Sequence, residues 1–307
     1  MNTAANQQTT DTVLMVRPHR FYSNPETAIT NAFQTPEPDD ATTLALSEFD
    51  AMVAALSDAG VRVIVESDTP EPATPDAVFP NNWLSTHADG TVITYPMQPQ
   101  SRRAERRQDI LDGFKARHGL TVSRHLDLST LENDGVYLEG TGSLILDRVG
   151  RRAFACFSPR TDPKGLARFC EATSYEPVGF TACDQDGVPV YHTNVMMCIG
   201  RQIIVACVES IDNDERGRVV DAFCAHHDLV PITLGQMNQF AGNMLELSTG
   251  DGEALLVMSS TAFNSLDASQ RQRLEAACTL LPLDIPTIET AGGSVRCMLA
   301  EIFLPHA

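Results

Sequence analysis

Three separate segments of the chain carry reactive side chains in glycine-rich or strand-like surroundings: residues 138–142, 191–194 and 292–298. They contain Glu139, His192 and Cys297 respectively. A thiol, an imidazole and a carboxylate are the groups that covalent cysteine catalysis needs, because the thiolate attacks the substrate while the imidazole transfers protons. These side chains therefore predict a thiol-dependent mechanism.

Cys297 differs from the other seven cysteines of the chain. It follows a Gly-Gly loop and the cationic Arg296, a setting that we expect to expose the thiol and to favour its thiolate. The other cysteines lie mostly in apolar runs, and none forms a CxxC pair. That usage is typical of reduced, buried cysteines in a cytosolic protein.

Charge and composition exclude several classes of partner. The chain has 22 lysines and arginines against 40 aspartates and glutamates, which gives a net charge of −18. Binding to a phosphate backbone depends on clustered basic residues, so we expect no nucleic-acid partner. No apolar run reaches the roughly 20 residues that a membrane helix needs, so we expect no membrane partner either.

The length and the pattern of elements predict one catalytic domain over residues 12–307. Residues 1–11 are polar, with neither a basic start nor an apolar stretch, so we expect a flexible N-terminus without a signal peptide. Together with the reduced cysteines, this predicts a cytoplasmic protein. The sequence leaves open whether the protein forms a homo-oligomer.

Helical periodicity recurs five times, and short strand-like runs flank the helical stretches. The predicted helices are 43–59, 102–118, 163–172, 214–227 and 268–281. The predicted strands are 13–16, 61–65, 143–146, 153–157, 190–199, 203–208 and 254–258. The helix starts are about 50 to 60 residues apart, which indicates an α/β fold of five similar units. Periodicity does not choose between a doubly wound sheet and a ring of repeats.

The order of the reactive motifs resembles that of the guanidino-group-modifying enzymes, the pentein superfamily. The resemblance rests on Glu139-Gly140, on His192-Thr193-Asn194 and on the Gly-Gly-x-x-x-Cys-Met segment at 292–298. Arginine deiminases, dimethylarginine dimethylaminohydrolases, and arginine and succinylarginine dihydrolases share this order. Residues 79–83 (Phe-Pro-Asn-Asn-Trp) and 240–247 (Phe-Ala-Gly-Asn-Met-Leu-Glu-Leu) look most similar to the citrulline-utilisation hydrolase branch, which is also described as amidinotransferase-like. The resemblance covers nearly the whole chain and implies a five-fold pseudosymmetric α/β propeller, with the active site at its central channel.

Residue spacing supports the ring independently. Asn82, Glu139, His192, Asn243 and Cys297 are separated by 57, 53, 51 and 54 residues. Near-equal steps predict one polar side chain from each unit at a common axis. Asn243 is a candidate from this spacing alone, and a role in a turn or as a backbone cap is its alternative interpretation.

The resemblance implies a role for each matching residue. Cys297 is the nucleophile, His192 protonates the departing amine and then activates water, and Glu139 accepts hydrogen bonds from the substrate head. Arg102 and Arg160 match positions that hold the carboxylate of an amino acid, which suits the planar fork of a guanidinium. For Arg102 the alternative is a solvated helix face.

Two departures from the deiminase pattern bear on the substrate. Asn82 stands where deiminases have an aspartate after Phe-x-x, and Asn194 stands where they have His-x-Asp. Both changes remove negative charge near the substrate head, and a buried guanidinium needs opposing charge. A ureido group is neutral, and an amide can donate to its oxygen and accept from its N–H. We therefore predict that Asn82 and Asn194 bind citrulline, which is hydrolysed to ornithine, carbon dioxide and ammonia through a covalent Cys297 intermediate.

Other functions fit parts of the same pattern. An arginine dihydrolase or deiminase would act on a guanidino group, and an amidinotransferase would pass that group to an amine. A non-catalytic binding protein of the same fold would need no such cysteine, histidine and glutamate set. A metal hydrolase is disfavoured because the histidines at 87, 118, 125, 226 and 227 lack ligand spacing, so we expect neither metal nor cofactor.

Overall fold

The computed structural model describes residues 7–306, which form five sheets of three strands each. The strands are β1 (Thr12–Arg17), β2 (Arg62–Ser67), β3 (Leu84–Thr86), β4 (Thr91–Thr94), β5 (Arg124–Asp127), β6 (Ile145–Asp147), β7 (Arg152–Cys156), β8 (Glu176–Phe180), β9 (Met197–Ile199), β10 (Ile203–Ala206), β11 (Asp228–Pro231), β12 (Leu245–Ser248), β13 (Ala254–Ser259), β14 (Thr279–Leu283) and β15 (Ala300–Glu301). The α-helices are α1 (Pro25–Ala28), α2 (Ala41–Asp58), α3 (Gln108–Ala116), α4 (Gly140–Ser143), α5 (Pro163–Thr173), α6 (Thr193–Met196), α7 (Asn213–Cys224), α8 (Leu234–Met237), α9 (Ser260–Ser265), α10 (Ala268–Glu275) and α11 (Pro286–Glu289). None of these described helices has the length and apolar character needed to cross a membrane.

Every sheet repeats one topology. Its first two strands are antiparallel, and its third strand runs parallel to the middle strand after a crossover that contains a helix. In the second sheet, for example, Leu84 of β3 lies opposite Thr94 of β4, and Thr91 of β4 pairs in parallel with Arg124 of β5. Because the sheets are separate, the five units do not form one doubly wound sheet.

The two ends of the described chain meet in one sheet, which consists of β15, β1 and β2. β15 pairs with β1 in antiparallel fashion, with Val13 opposite Glu301, and β1 pairs with β2 in parallel. The C-terminal part of the chain thus supplies the first strand of the first unit and closes the ring. The predicted five-fold pseudosymmetric α/β propeller is confirmed.

Local sequence explains the position of two helices. α2 buries Ala45, Phe49, Met52 and Leu56, which recur at spacings of three and four residues along one face. Burial of a side chain of this size contributes about 1.5–3 kcal/mol, so the face holds the helix against its sheet. Before α5 (Pro163–Thr173), the side chain of Asp162 accepts a hydrogen bond from the Lys164 N–H, and Pro163 takes the first helical position, which favours the start of a helix here.

Three predicted elements are divided differently in the structure. The predicted helix 102–118 is a 3₁₀ helix, Gln100–Glu105, followed by α3, because Arg106 leaves helical geometry and binds the Glu132 carboxylate. Residues 279–281 belong to β14, which pairs with β13, and not to the preceding helix. The predicted strand 190–199 is broken at α6, where Thr193 Oγ1 donates to the Ser143 carbonyl and accepts from the Cys156 N–H.

The N-terminal prediction needs a correction. Gln8 donates to the Leu146 carbonyl and accepts from the Arg148 N–H, and Thr10 donates to the Ile302 carbonyl at 2.6 Å. Both side chains are buried. These hydrogen bonds hold Gln8 and Thr10 against two different units, so this stretch is packed where the sequence predicts flexibility. The rest of the predicted flexible segment, residues 1–6, lies outside the described residues.

Candidate active site

A polar turn precedes the first strand of every sheet. These turns are the 3₁₀ helix Pro80–Asn82, the segments beginning α4 and α6, residues 240–243, and the 3₁₀ helix Val295–Met298. They carry, in order, the side chains of Asn82, Glu139, His192, Asn243 and Cys297. Equivalent positions in five units meet at one end of the ring axis, where Glu139 is hydrogen-bonded to His192 and Asn243 to Cys297.

Glu139 and His192 form a buried pair. Glu139 Oε2 lies 2.8 Å from His192 Nε2, and Glu139 Oε1 accepts a hydrogen bond from the Gln98 N–H at 3.0 Å. A carboxylate can only accept, so Nε2 carries the proton and Nδ1 is the basic nitrogen of the imidazole. Burial lowers the pKa of His192 to about 4, although Glu139 raises it, so the imidazole is neutral at pH 7.

Glu139 binds protein groups in this geometry, and its expected contact with a substrate head stays a prediction. Both carboxylate oxygens accept hydrogen bonds from the protein, and Glu139 is not among the residues that line the cavity. Burial by itself raises the pKa of Glu139, but Arg160 and His192 lower it to about 2, so the group is a permanent anion behind the imidazole. Glu139 can therefore orient His192 and stabilise its protonated form.

Cys297 lies against two asparagine amides. Nδ2 of Asn194 is 3.2 Å from Sγ of Cys297, and Nδ2 of Asn243 is 3.3 Å from it. Asn243 is fixed by the Asn194 carbonyl, to which it donates, and by the Arg296 N–H, which donates to its Oδ1. Both asparagines contact the thiol, and their predicted role as direct ligands of the substrate stays a prediction.

Arg296 does not supply the expected positive charge to the thiol. Its guanidinium donates to the Leu299 carbonyl and to the Glu301 carboxylate, each at 3.0 Å. Consecutive side chains of a 3₁₀ helix diverge by a third of a turn, so Arg296 points away from Cys297. The thiol is also less accessible than expected, with Cys297 only 3% exposed.

Asn82 lines the cavity and has an unpaired donor. Its Oδ1 accepts a hydrogen bond from Arg102 Nη1 at 2.8 Å, which fixes the orientation of the amide. Its Nδ2 is buried and has no hydrogen-bond partner in the described part of the chain. A Cβ at Gly142 would clash with this nitrogen and with His192 Nδ1, so only glycine allows both groups to occupy this space. The free amide and the basic imidazole nitrogen therefore face one small volume.

Arg102 and Arg160 both line the cavity, and each is 2% exposed, which excludes a solvated helix face for Arg102. Nε and Nη2 of Arg102 each lie 2.8 Å from a Glu105 carboxylate oxygen, so this edge of its fork is occupied. Arg160 donates from Nε and Nη2 to Thr27 and Thr30. Its Nη1 lies 3.8 Å from Glu139, beyond hydrogen-bond distance. The donors that remain for a ligand are thus mainly those of Arg160 Nη1.

The cavity itself is small in this structure. Its volume is about 20 Å³, which is space for about one water molecule. The segment 18–40, between β1 and α2, covers it: Thr27 and Asn31 line the cavity, and Asn31 donates to the Gly292 carbonyl at 3.2 Å. A ligand of amino-acid size therefore needs more space than the cavity provides.

Sequence reasoning missed Asp76, whose buried carboxylate also lines the cavity. Its Oδ2 accepts a hydrogen bond from Asn24 Nδ2 at 2.8 Å and lies 3.5 Å from Arg102 Nε. The sequence gives one sign of its burial: Asp76 is an acidic residue between the proline-rich residues 70–75 and the apolar run 77–79.

The histidines outside this cavity assemble no metal site. Among residues 7–306, no three histidine, cysteine, aspartate or glutamate side chains are arranged to hold a metal ion. His226 and His227 follow α7 and line a different cavity. The small cavity lined by Cys297 and His192, which we call the thiol cavity, is the candidate active site.

Comparison with protein families decides the class of this site. A family profile described as "N,N dimethylarginine dimethylhydrolase, eukaryotic" matches residues 17–304. The chain belongs to this family. As a member of the dimethylarginine dimethylhydrolase family, within the pentein superfamily, the protein is a hydrolase of guanidino-type C–N bonds that uses a cysteine nucleophile. A search among curated proteins finds no match to the sequence.

Solved structures share the propeller. The N-terminal domain of ArgZ, a cyanobacterial arginine dihydrolase, was solved as a cysteine-to-serine mutant with substrate. It is 16% identical, with a TM-score of 0.72, and the match covers 94% of this chain and 97% of that one. Unliganded AgrE is 17% identical, with a TM-score of 0.73, and the match covers 94% of this chain but 39% of AgrE. The DDAH of Pseudomonas aeruginosa was solved as a cysteine-to-serine mutant with citrulline. It is 14% identical, with a TM-score of 0.68, and the match covers 96% of this chain and 99% of that one. At these identities, the likeness establishes the fold.

Proposed function

We propose that the protein hydrolyses the ureido group of citrulline to give ornithine, carbon dioxide and ammonia. The observation that carries this proposal is the unpaired Nδ2 of Asn82. A buried N–H without an acceptor costs about 1–3 kcal/mol, so this donor favours a ligand that brings an acceptor. The ureido oxygen is an acceptor, whereas a guanidinium carries only donors. A citrulline head therefore satisfies Asn82, and an arginine head leaves it unpaired.

In the first chemical step, His192 Nδ1 accepts the thiol proton of Cys297. The thiolate is stabilised by the amides of Asn194 and Asn243, because hydrogen bonds strengthen when the acceptor is charged. Sγ then bonds to the ureido carbon, and the negative charge that develops on the ureido oxygen is stabilised by Asn82 Nδ2. The proton on His192 passes to the terminal nitrogen, which leaves as ammonia, and a thiocarbamate joins Cys297 to the remaining substrate.

Water completes the reaction. His192, neutral again, takes a proton from water as the oxygen attacks the thiocarbamate carbon. The C–S bond breaks, the sulfur regains its proton from His192, and the carbamate of ornithine leaves and loses carbon dioxide. Glu139 is a positioning residue in both steps, because it keeps Nε2 protonated and stabilises each imidazolium that forms.

The charged end of citrulline suits the opposite wall of the cavity. The free Nη1 of Arg160 can donate to the α-carboxylate, and the carboxylate of Asp76 can accept from the α-ammonium. Arg102 is already bound to Glu105, and its part is to hold Asn82. Movement of segment 18–40 admits the substrate and then excludes bulk water from the intermediate.

Arginine dihydrolysis is the second candidate. The family profile favours a guanidino substrate, and the carboxylate of Asp76 gives the cavity one anionic group that faces the ligand. The two reactions differ in stoichiometry, since an arginine dihydrolase releases two ammonia molecules for each ornithine and a citrulline hydrolase releases one.

The test is to incubate the purified protein with citrulline or arginine and to measure ornithine and ammonia. We expect equal amounts of both products from citrulline, slower turnover of arginine, and neither product with Cys297→Ala. Ornithine with twice as much ammonia from arginine, and none from citrulline, would reject the proposal in favour of the second candidate. Turnover only in the presence of an added amine acceptor would instead indicate group transfer.

A further inference from the structure

A second cavity lies at the other end of the sheets from Cys297. Its volume is about 320 Å³. Arg148 directly follows β6 and lines this cavity, whereas Glu139 precedes the turn that leads into β6. His87 likewise follows β3, which Asn82 precedes. The two cavities therefore sit at opposite ends of the same strands.

Three arginines face this second cavity: Arg124, Arg148 and Arg151. Among the described residues, Arg124 and Arg151 form no salt bridge, and Arg148 Nε lies 3.7 Å from a Glu301 carboxylate that already binds another arginine. The chain has 40 acidic residues for 22 basic ones, so a cluster of arginines without close acidic partners stands out. We call this space the arginine cavity.

Aromatic rings hold two of these guanidinium groups in place. Arg148 lies 3.8 Å from the ring centre of Phe303, and Arg151 lies 4.0 Å from that of Tyr175. Arg151 also donates to the Thr173 carbonyl and so covers the C-terminal end of α5, which would otherwise repel an anion. Stacking fixes the plane of each fork before a ligand arrives, which lowers the entropy lost on binding.

Arg148 gives the most direct sign of a missing partner. The residue is 7% exposed, and its Nη2 is buried without a hydrogen-bond partner in residues 7–306. Its Nη1 makes one long hydrogen bond, 3.4 Å, to the Thr86 carbonyl. A buried guanidinium with unused donors is costly unless an acceptor satisfies them.

We propose that the arginine cavity binds a small oxyanion with two or more negative charges, either a phosphate monoester or a dicarboxylate. Arg124, Arg148 and Arg151 supply paired N–H donors, and Asp89 is the one carboxylate among the lining residues. Burial lowers the pKa of His87 to about 3, so this lining residue is neutral at pH 7 and leaves the cavity with a net positive charge. The volume is in the range of small-molecule sites and leaves room for an organic group beside the oxyanion.

Calorimetric titration with glycerol 3-phosphate, inorganic phosphate and succinate tests this site, with sodium chloride at matched ionic strength as the blank. We expect saturable binding of at least one probe to the wild-type protein. Arg124→Ala and Arg151→Asn should each weaken that binding about tenfold or more, since each removes a charge-assisted contact. Asparagine suits position 151 because its backbone has a φ of 56°. Asp89→Asn should strengthen binding by removing the opposing charge.

Two control variants locate the bound probe. Arg273→Ala removes an exposed arginine of α10, outside both cavities, and should change nothing. Arg160→Ala removes an arginine of the thiol cavity and should leave probe binding intact. Binding that is lost only in Arg160→Ala, binding that Arg124→Ala and Arg151→Asn both retain, or no saturable binding of any probe would each overturn the proposal. The probe that binds tightest decides between phosphate and dicarboxylate.

Discussion

The two ends of the propeller hold arginines in opposite electrostatic settings. In the thiol cavity, Arg102 is bound to Glu105, and Arg160 lies beside Glu139. In the arginine cavity, Arg124 and Arg151 form no salt bridge in the described chain, and Arg148 lies 3.7 Å from Glu301, a carboxylate that also binds Arg296. Where the protein balances its own charges, a zwitterion with an uncharged head fits best. Where it leaves cations without partners, an anion fits best.

The thiol cavity therefore depends on neutral groups for its chemistry. Asn82 and the neutral imidazole of His192 line the space in which we propose that the ureido group reacts, and the amides of Asn194 and Asn243 contact the thiol. The charged Glu139 stands behind the imidazole. Charge that appears during the reaction can then be stabilised by fixed donors. The residues that line the arginine cavity include a histidine, His87, but no cysteine, so they offer no thiol nucleophile.

Removal of the sulfur has the largest expected effect. Cys297→Ala should lower kcat for citrulline by at least about 10⁴-fold, because no other group on the cavity wall can form the covalent intermediate. Steady-state assays of ornithine release measure this effect. Cys278→Ala, another buried cysteine outside the cavity, is the matched control and should keep its activity. Substantial activity in Cys297→Ala would contradict a thiol mechanism at this end of the ring.

The next effect separates the two roles considered for Glu139. Glu139→Gln should lower kcat by about 10²–10⁴-fold, as expected for impaired proton transfer. KM should change little, because Glu139 contacts His192 and not the ligand space. Separate determination of kcat and KM checks this. A large rise in KM at unchanged kcat would instead identify Glu139 as a ligand of the substrate head.

A smaller effect is expected when charge is restored near the head. Asn82→Asp replaces the unpaired donor with a carboxylate, so the ratio of kcat/KM for citrulline to kcat/KM for arginine should fall about tenfold or more. Competition assays with both substrates measure the ratio. Asn213→Asp, which adds the same charge on the surface, should leave the ratio unchanged. An unchanged ratio in Asn82→Asp would break the link between neutral amides and a neutral head.

The last effect concerns stability against acid and not turnover. The pKa of His192 is lowered to about 4 in the folded protein, so the unfolded chain binds more protons between this value and about 6.5. The free energy of unfolding should therefore fall as the pH drops from 7 to 4, with His192 contributing up to about 3 kcal/mol of this change.

Urea unfolding at several pH values measures that contribution. His192→Gln removes the titrating group, so its free energy of unfolding should depend less steeply on pH than that of the wild type over this interval. Equal slopes for the two proteins would show that the imidazole is not held neutral by burial.

Much of the fold could be predicted from local patterns. The buried face of α2 and the cap at Asp162 are determined within a few residues, and they lie where the sequence indicates. Strands β3 and β9 have only three residues each, too few to show a period, and their pairing depends on distant parts of the chain. The packing of Gln8 and Thr10 also depends on distant backbone, so their polar sequence gave no sign of it.

Five-fold spacing predicted which residues lie in the site. It did not predict the contacts of side chains that depend on tertiary packing. Equal spacing located Asn243 beside Cys297, although it did not show that the amide contacts the sulfur. The direction of Arg296 depends on the 3₁₀ turn, and the pairing of Arg102 with Glu105 depends on the chain between them. Asp76 lies outside the five repeated positions, so no periodic signal identified it.

The most direct test of a neutral substrate head is the specificity of the wild-type protein. Measurement of kcat/KM for citrulline and for arginine, under identical conditions, compares an acceptor-bearing head with a donor-only head against the same Asn82. We predict that citrulline is favoured by at least about tenfold. A value for arginine equal to or above that for citrulline would contradict the account.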